Sequence, residues 1–461
     1  MTRSDQMILV TNVYPVGGHI GGWRDPSAFN RIVMNLDAMT QIARLAERGK
    51  FHSLFLADGN AVRQMEKREL FENVTPTDRP ASFEPTTAMA AIAQHTEHIG
   101  MFVTATTTYE EPYSLARRLS SLDHISRGRA IWNVVTTSYP GDAANFGSAA
   151  FPERDDRYRR ANEFIEVCKA LWDSWAADAF PQDKATGRFL DADRVRRIDH
   201  HGEFFDVQGP LNVGRSPQGH PVLFMAGQSE PGRDLAARHA ECLFASARTK
   251  EQSEELAVDV RSRMAAYGRL PTDIKIIPGV SVNVAETKED ARELNKHLAS
   301  LVSPELGFQY LSSYLHADLT GLDPDGPLPD LTGDIAGVRS IRDQLYNEAV
   351  GRGLSIRQTW TKLIAGTGDE PFTGTAGEVA DQLQEWFESG ACDGFMLGVP
   401  TLPRGLERVV DLLIPELQRR SLFHEEYTGG TLREELRLRA PASRFVDVDE
   451  APAPADTVYA S

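Results

Sequence analysis

Cysteine is scarce in this chain: only Cys168, Cys242 and Cys392 occur among 461 residues, and no two of them form a C-x-x-C spacing. Each lies alone in an apolar segment, which predicts buried free thiols rather than disulfides or a metal site. No apolar run approaches the roughly 20 residues that span a bilayer, and the N-terminus lacks the basic flank and cleavage site of a signal peptide. We therefore expect a cytoplasmic protein that makes no membrane contact.

Basic residues are also in deficit, with 49 Lys and Arg against 66 Asp and Glu, a formal net charge of −17. We therefore expect a small-molecule substrate and no nucleic acid partner. Several catalytic signatures are missing from the sequence: G-x-S-x-G, H-E-x-x-H, and G-x-G-x-x-G after the first strand. These absences disfavour a serine hydrolase, a zinc hydrolase and an open dinucleotide-binding sheet, and no metal site is predicted.

Short apolar runs, rich in β-branched residues, alternate with amphipathic helical patterns along the whole chain. Eight β-α units in series predict an α/β fold of the closed (β/α)₈ TIM-barrel type. The predicted strands are Met7–Tyr14, Ser53–Asp58, Ile99–Thr106, Ala130–Thr136, Val222–Gly227, Cys242–Ser246, Ile274–Val284 and Gly394–Val399.

About 200 residues exceed what a minimal barrel needs. We predict a single barrel domain over residues 1–436, followed by a disordered tail over 437–461. One long insertion after strand four covers about 138–220, with a helix and a hairpin at 200–213. A second insertion, between strands seven and eight, covers about 303–372 and contains a turn-rich stretch. Long insertions of this kind tend to form lids or substrate loops.

The segment after strand five, GQSEPGRDLAAR, places Ser229, Gly232 and Arg233 where a strand ends and a helix begins. Free backbone N–H groups at such a helix start, with a hydroxyl and a guanidinium nearby, are suited to a phosphate group. An ordinary turn with Ser229 as the N-capping residue explains the spacing equally well. The segment alone leaves both interpretations open.

Other candidates follow from the rule that barrel chemistry gathers at the carboxyl ends of strands. They are mostly neutral hydrogen-bonding groups, which favours binding of a flat, phosphorylated ligand over hydrolysis. Each also has a plain structural explanation, as a loop cap, a strand residue or a solvated surface residue. The candidates are Asp58, Thr104, Asn133, Arg154 and Tyr158, with His19 on a glycine-rich loop and His316 in the second insertion.

Longer motifs carry a family resemblance: AERGKFHSLFLADG, EPYSLARRLSSLDHISRGRAIWNVVTTS, MAGQSEPGRDLAARHAECLFA and GTAGEVADQLQEWFESGACDGFML. With them the chain resembles the flavin-dependent monooxygenases of the bacterial-luciferase superfamily, in particular the nitrilotriacetate, dibenzothiophene sulfone and pristinamycin branch. The resemblance implies a luciferase-like barrel that binds FMN as FMNH₂, with O₂ as co-substrate. It also implies a separate NAD(P)H:flavin oxidoreductase and assembly as a homodimer or homotetramer.

Carried over by position, the family's FMN contacts fall on Asp58, Thr104, Asn133, Tyr158, Ser229, Gly232 and Arg233. Family members usually have histidine where this chain has Arg154, which keeps a cationic donor but cannot become neutral. The resemblance implies oxygen transfer through a C4a-(hydro)peroxyflavin to a small organic substrate such as an aminopolycarboxylate or an organosulfur compound. Candidates for the proton of that species or for gripping substrate are His19 and His316.

Water must be kept from such a reaction, and we expect the two insertions to act as lids, with Phe51, Phe55 and Trp132 as apolar neighbours of the site. Two alternatives stay open. One is an F420-dependent oxidoreductase of the same superfamily, and the other is a non-catalytic flavin-binding relative.

Overall fold

Eight parallel strands form the centre of the molecule. The computed structural model describes residues 5–14, 17–31, 33–62, 81–137, 139–147, 152–247, 249–315, 317–331, 339–365, 372–443 and 445. The barrel strands are β1 (Ile8–Asn12), β2 (Ser53–Leu56), β3 (Gly100–Thr106), β4 (Ala130–Val135), β5 (Val222–Met225), β6 (Cys242–Ala245), β7 (Lys275–Ser281) and β8 (Gly394–Gly398).

The sheet closes because β1 pairs with both β2 and β8, while every other strand pairs with its neighbours in sequence. The Oγ1 of Thr11 donates to the carbonyl oxygen of Leu397 at 2.9 Å, 386 residues away. Close approach at this seam needs glycine, since a Cβ on Gly394 would lie 1.9 Å from the carbonyl oxygen of Ile8. The predicted (β/α)₈ barrel is confirmed.

Strand residues alternate between two apolar clusters. Phe102, Ile131 and Phe224 belong to the cluster inside the barrel, with Phe55 packed against it. Phe51 and Trp132 belong to the larger cluster between the strands and the surrounding helices. The expectation that all three aromatic residues neighbour the site is therefore wrong for Phe51 and Trp132, because both pack in the layer between the strands and the surrounding helices.

Amphipathic helices surround the strands, and most begin at a capping residue. Thr249, Thr287 and Thr375 each accept a backbone N–H at the start of a helix. The surrounding helices are α1 (Leu36–Arg48), α2 (Pro85–Ile92), α3 (Pro112–Ile125), α4 (Arg154–Trp172), α5 (Glu230–His239), α6 (Lys250–Arg263) and α7 (Lys288–Ser300).

The connection from β4 to β5 contains α4 and the β-hairpin that the sequence predicts at 200–213. His200–His201 pairs antiparallel with Asp206–Val207. The two histidines diverge, since His200 hydrogen-bonds Glu163 at 2.9 Å and His201 hydrogen-bonds Asp206 at 2.8 Å. The predicted hairpin is confirmed.

The connection from β7 to β8 contains three helices that were not predicted from the sequence: α8 (Pro304–Leu315), α9 (Arg339–Gly351) and α10 (Ile356–Ala365). They share a small core of their own that includes Phe308, Leu311, Leu345, Ile356 and Trp360. A Cβ on residue 307 would lie 2.4 Å from the Trp360 ring, so glycine there lets α8 and α10 pack closely. We call this unit the insertion helices.

The remaining helices are α11 (Ala376–Glu388), α12 (Arg404–Arg408), α13 (Ile414–Arg419) and α14 (Leu432–Glu435), with a π-helical turn at Val409–Leu413 between α12 and α13. Leu432, Leu436 and Leu438 join the apolar cluster inside the barrel. The packed chain thus continues past the predicted boundary at residue 436. Residues 446–461, where most of the predicted tail falls, lie outside the described residues.

All three cysteines are buried and free, as predicted, and burial raises the pKa of the Cys168 thiol. Among the described residues, no helix has the length and apolar character needed to cross a membrane.

Candidate functional site

A cleft of 380 Å³ opens at the carboxyl ends of β2, β3, β4 and β5. That volume lies in the range of roughly 300–1,000 Å³ typical of small-molecule sites. Four of the predicted site residues line it: Asp58, Thr104, Tyr158 and Gly232. We call it the β2–β5 cleft.

Thr104 and Asn133 stand side by side on adjacent strands, since they are register partners of β3 and β4. Both are buried, and the Asn133 Nδ2 donates to the Thr104 Oγ1 at 3.0 Å. Thr104 forms part of the cleft wall, and Asn133 supports it from the next strand. The bond leaves the second Nδ2 hydrogen and the Oδ1 of Asn133 for other partners.

Asp58 lies just beyond the end of β2, where its side chain reaches solvent through the cleft. Loss of hydration raises the pKa of Asp58 to about 6, reinforced by the carboxylates of Glu84 and Asp142 and opposed by the Gly59 N–H. The carboxyl group therefore titrates close to neutral pH, which is common at functional sites.

Ser229 is the N-cap of α5, and its Oγ accepts the Gly232 N–H at 3.3 Å. The same oxygen lies 3.1 Å from the Tyr158 hydroxyl of α4. Gly227 and Gly232 are in close backbone contact, because a Cβ on either would lie 2.9 Å from the Cα of the other. The capping interpretation of Ser229 is thus confirmed, and two hydroxyl groups converge at the helix start beside the cleft.

Arg233 is directed elsewhere. Its Nε donates to the Gln228 carbonyl at 2.9 Å, and its Nη1 pairs with Asp259 of α6 at 3.0 Å. Arg154, the first residue of α4, is exposed. Neither is among the described residues that line the β2–β5 cleft. The structure therefore does not place these two guanidinium groups on the cleft wall, where Tyr158 lies.

The cleft wall also includes residues that were not predicted from the sequence. Arg118 of α3 pairs with Glu110 there, and Glu84 accepts the N–H groups of Thr86 and Thr87 at the start of α2. The Glu84–Pro85 pair is a helix-start signal that could have placed that carboxylate. Arg118 carried no such signal, since it sits within a basic helix segment.

Backbone strain marks the same cleft. Thr137, two residues beyond β4, has a φ of 36°, which is unfavourable for a β-branched side chain. Its hydroxyl lies 2.6 Å from that of Thr106, and both residues line the cleft. Strain of this kind is concentrated at functional sites.

His19 lies in a second cavity, of 580 Å³, between the insertion helices, α7 and the loops that follow β1, β7 and β8. We call it the insertion cavity. The His19 Nδ1 accepts the Gly21 N–H at 3.1 Å, so a neutral imidazole carries its proton on Nε2. The loop is pressed against the residues that follow β8, since a Cβ on Gly22 would lie 2.4 Å from the Pro400 carbonyl oxygen. His316 lies outside the described residues.

Comparisons with known proteins identify the family of this chain. Residues 16–393 match the family model described as luciferase-like monooxygenase. N-acetyl-S-(2-succino)cysteine monooxygenase of Bacillus subtilis (strain 168) is 41% identical over 96% of this chain and 99% of its own length. Nitrilotriacetate monooxygenase component A of Aminobacter aminovorans is 43% identical over 92% of this chain and 95% of its own. The crystal structure of DmoA from Hyphomicrobium sulfonivorans superposes with a TM-score of 0.82 and 32% identity, covering 94% of this chain and 92% of that one.

Proposed function

The chain belongs to the luciferase-like monooxygenase family, and from that membership we propose that it oxidises a small organic substrate with reduced FMN and O₂. The observation that carries the proposal is the convergence of Thr104, Tyr158 and the start of α5 on one cleft at the barrel mouth. These groups suit a flat ligand with polar edges and a terminal phosphate.

The donor set of the β2–β5 cleft fits FMN. Its walls offer the neutral hydrogen-bonding groups Thr104, Thr106 and Tyr158, and the helix start at Ser229 offers a dipole end and backbone N–H groups. In this proposal Tyr158 and Ser229 hold the phosphate, and Thr104, which Asn133 supports through a hydrogen bond, holds the ring end. Arg233 contributes by fixing the α5 start through Gln228 and Asp259 rather than by contact with phosphate.

Reduced FMN, when bound, supplies the electrons with which O₂ is activated for transfer of one oxygen atom to substrate. The chain's own residues position the reactants and keep water away. Asp58 can carry or release a proton near neutral pH at the rim of the cleft. His19, on the wall of the insertion cavity, is the histidine among the described residues that we place near a ligand there.

A separate reductase would supply the reduced flavin. The name of one relative, nitrilotriacetate monooxygenase component A, denotes one part of a multicomponent enzyme. This name supports an oxygenase that works with a separate reductase here. In this proposal the partner is an NAD(P)H:flavin oxidoreductase. Assembly as a homodimer or homotetramer stays a prediction, which sedimentation analysis would measure.

The proposal is tested by mixing the protein with FMN, NADH and a general flavin reductase and following oxygenated product from a panel of candidate substrates. We expect product that depends on both FMN and O₂. A parallel assay with reduced F420 and no O₂ separates the oxygenase from the hydride-transfer alternative. Turnover only in the F420 assay, or FMN binding with no product from any substrate, would contradict the proposal.

A further inference from the structure

A further cavity, of 410 Å³, lies at the end of the barrel opposite the β2–β5 cleft. Its wall includes Lys169 in the last turn of α4 and His220, two residues before β5 begins. Helix α4 returns the chain to the amino ends of the strands, so this cavity lies at the face of the barrel that does not carry the flavin cleft. We call it the basal cavity.

We propose that Lys169 is a nucleophilic amine and that the basal cavity binds a small neutral aldehyde, which Lys169 holds as a Schiff base. The Nζ lone pair forms a C–N bond to the carbonyl carbon, and one nitrogen proton moves to the carbonyl oxygen. The carbinolamine then loses its hydroxyl group and the remaining nitrogen proton as water, which leaves the C=N bond. No oxidant or reductant is needed. The inference goes beyond the proposed function and does not depend on it, since the two sites lie at opposite ends of the barrel.

The neighbour of the Lys169 amine is an imidazole. Its Nζ lies 3.3 Å from the Nδ1 of His239, the last residue of α5, and the Nε2 of the same ring lies 2.9 Å from the Asn162 Oδ1. Because an amide oxygen only accepts hydrogen bonds, the neutral ring carries its proton on Nε2, and Nδ1 accepts from Lys169. Burial lowers the pKa of His239, which keeps the ring neutral. The ammonium form of Lys169 therefore gains no ion pair from this neighbour.

The surroundings of Lys169 also favour its neutral form. Burial lowers the pKa of the Lys169 side chain to about 8. The carboxylates of Glu241 and Glu166 oppose this change. The guanidinium groups of Arg269 and Arg433 add to it, and Arg433 also pairs with Glu241. Buried lysines beside other cations are the ones that serve as Schiff-base nucleophiles in enzymes.

Charges on the wall of the basal cavity are close to balance. Asp173 and Arg215 pair with each other at 2.6 Å, and Glu166 pairs with Arg238 of α5. Burial lowers the pKa of His220 to about 3, so this ring adds no charge at neutral pH. A wall of paired charges suits a neutral ligand better than a carboxylate or a phosphate, and the volume lies in the range of roughly 300–1,000 Å³ typical of small-molecule sites.

The test traps the Schiff base in the full-length protein with propionaldehyde and sodium cyanoborohydride, and peptide mass spectrometry measures labelling at each lysine. Lys184, which is exposed, is the internal reference. At about pH 7.5 we expect Lys169 to be labelled at least about tenfold faster than Lys184, because a larger fraction of its amine is unprotonated. Labelling of Lys169 should saturate with aldehyde concentration while labelling of Lys184 rises linearly. The ratio of the two rates should fall as the pH is raised to about 10.5.

Two variants and a second aldehyde complete the design. Ala170→Leu places a larger side chain on the cavity wall beside Lys169 and should abolish saturation, whereas Ala266→Leu, at an exposed position, should leave it unchanged. Glyoxylate carries a carboxylate, and its ratio of Lys169 to Lys184 labelling should be lower than that of propionaldehyde. Equal labelling of the two lysines, a linear response at Lys169, or saturation that survives Ala170→Leu would overturn the inference. A higher ratio with glyoxylate would overturn the assignment of a neutral ligand.

Discussion

The hydroxyl group of Tyr158 lies 3.1 Å from the Oγ of Ser229, which ties helix α4 to the capping position of helix α5. The pair is separated by 71 residues in sequence, and it brings together two groups that were predicted from separate motifs. Ser229 keeps its capping bond to the Gly232 N–H within this arrangement. The proposed phosphate end of the cofactor site is therefore also a contact that holds helices α4 and α5 together.

Removing the Ser229 hydroxyl should weaken the binding of FMN much more than the binding of riboflavin. Ser229→Ala removes a hydrogen-bonding group from the phosphate end, which should lower FMN affinity by about 1–2 kcal/mol, or roughly tenfold. Loss of the helix cap lowers protein stability as well, but this loss is the same with either flavin. Arg233→Ala is the matched control, and its effect should be smaller because Arg233 is paired with Asp259. Fluorescence titration with the two flavins measures both, and equal losses for FMN and riboflavin would contradict the assignment.

Neutralising Asp58 should stabilise the protein at neutral pH. The pKa of Asp58 is raised to about 6 in the folded protein, above the unfolded value near 3.9. The folded state therefore holds this proton more tightly, and the free energy of unfolding falls as the pH rises between those two values. The melting temperature of Asp58→Asn relative to wild type should therefore increase from pH 4 to pH 7. Thermal unfolding across this range measures the difference, and a constant offset would show that the carboxyl is not perturbed.

Replacing His19 should raise peroxide release without changing FMN affinity. His19 faces the insertion cavity rather than the β2–β5 cleft, and its Nε2–H is directed by the Gly21 bond. His19→Ala therefore removes an imidazole from the wall of that cavity and leaves the β2–β5 cleft unchanged. The ratio of H₂O₂ released to O₂ consumed measures coupling, and His316→Ala is compared in the same assay. Unchanged coupling and an unchanged substrate KM in both variants would exclude the two histidines from the reaction.

Gly232→Ala should destabilise the protein although alanine favours helices. Within a helix alanine is usually better than glycine by about 1 kcal/mol, but here its Cβ would meet the Gly227 Cα at 2.9 Å. Gly377→Ala in α11 is the control, since a Cβ there has its nearest neighbour, an Arg420 nitrogen, 4.0 Å away. Denaturant unfolding should show a loss for the first variant and no loss for the second.

Arg433→Met should lower the free energy of unfolding by about 3–5 kcal/mol, because it leaves the carboxylate of Glu241 without the guanidinium that pairs with it. Burial would raise the pKa of Glu241, yet Arg433 and His220 hold it at about 2. Ionised Glu241 therefore contributes to the free energy of unfolding at pH values above its unfolded pKa near 4.3. This contribution is lost as the pH falls toward 2. Adding Glu241→Gln to Arg433→Met should recover part of the loss at pH 7; no recovery would show that the pair is not the cause.

The barrel could be predicted because its strands are short runs bounded by polar residues, and each predicted strand contains the observed one. Ser229 and Tyr158 could be located because a strand-to-helix transition and a charged helix start are local signals. The direction of Arg233 could not be predicted, since it depends on Asp259, 26 residues further along. The insertion helices pack their apolar residues on one another rather than on the barrel, so their pattern gave no barrel signal.

The charge of the insertion cavity was equally hidden from sequence. Its cations come from positions 292 and 296 on α7, 352 just after α9, and 357 and 362 on α10. No run of basic residues marks them, and the overall acidity of the chain points the other way. Only the folded structure brings them to the wall of one cavity.

The seam between β1 and β8 has a consequence for synthesis on the ribosome. β1 emerges early, but the Leu397 carbonyl that Thr11 binds is 386 residues behind it. At roughly 5–20 residues per second, the first strand waits on the order of 20–80 s for its partner. During that interval the nascent chain exposes an open strand edge and the apolar residues Ile8 and Val10, the kind of surface that promotes aggregation of unfinished sheets.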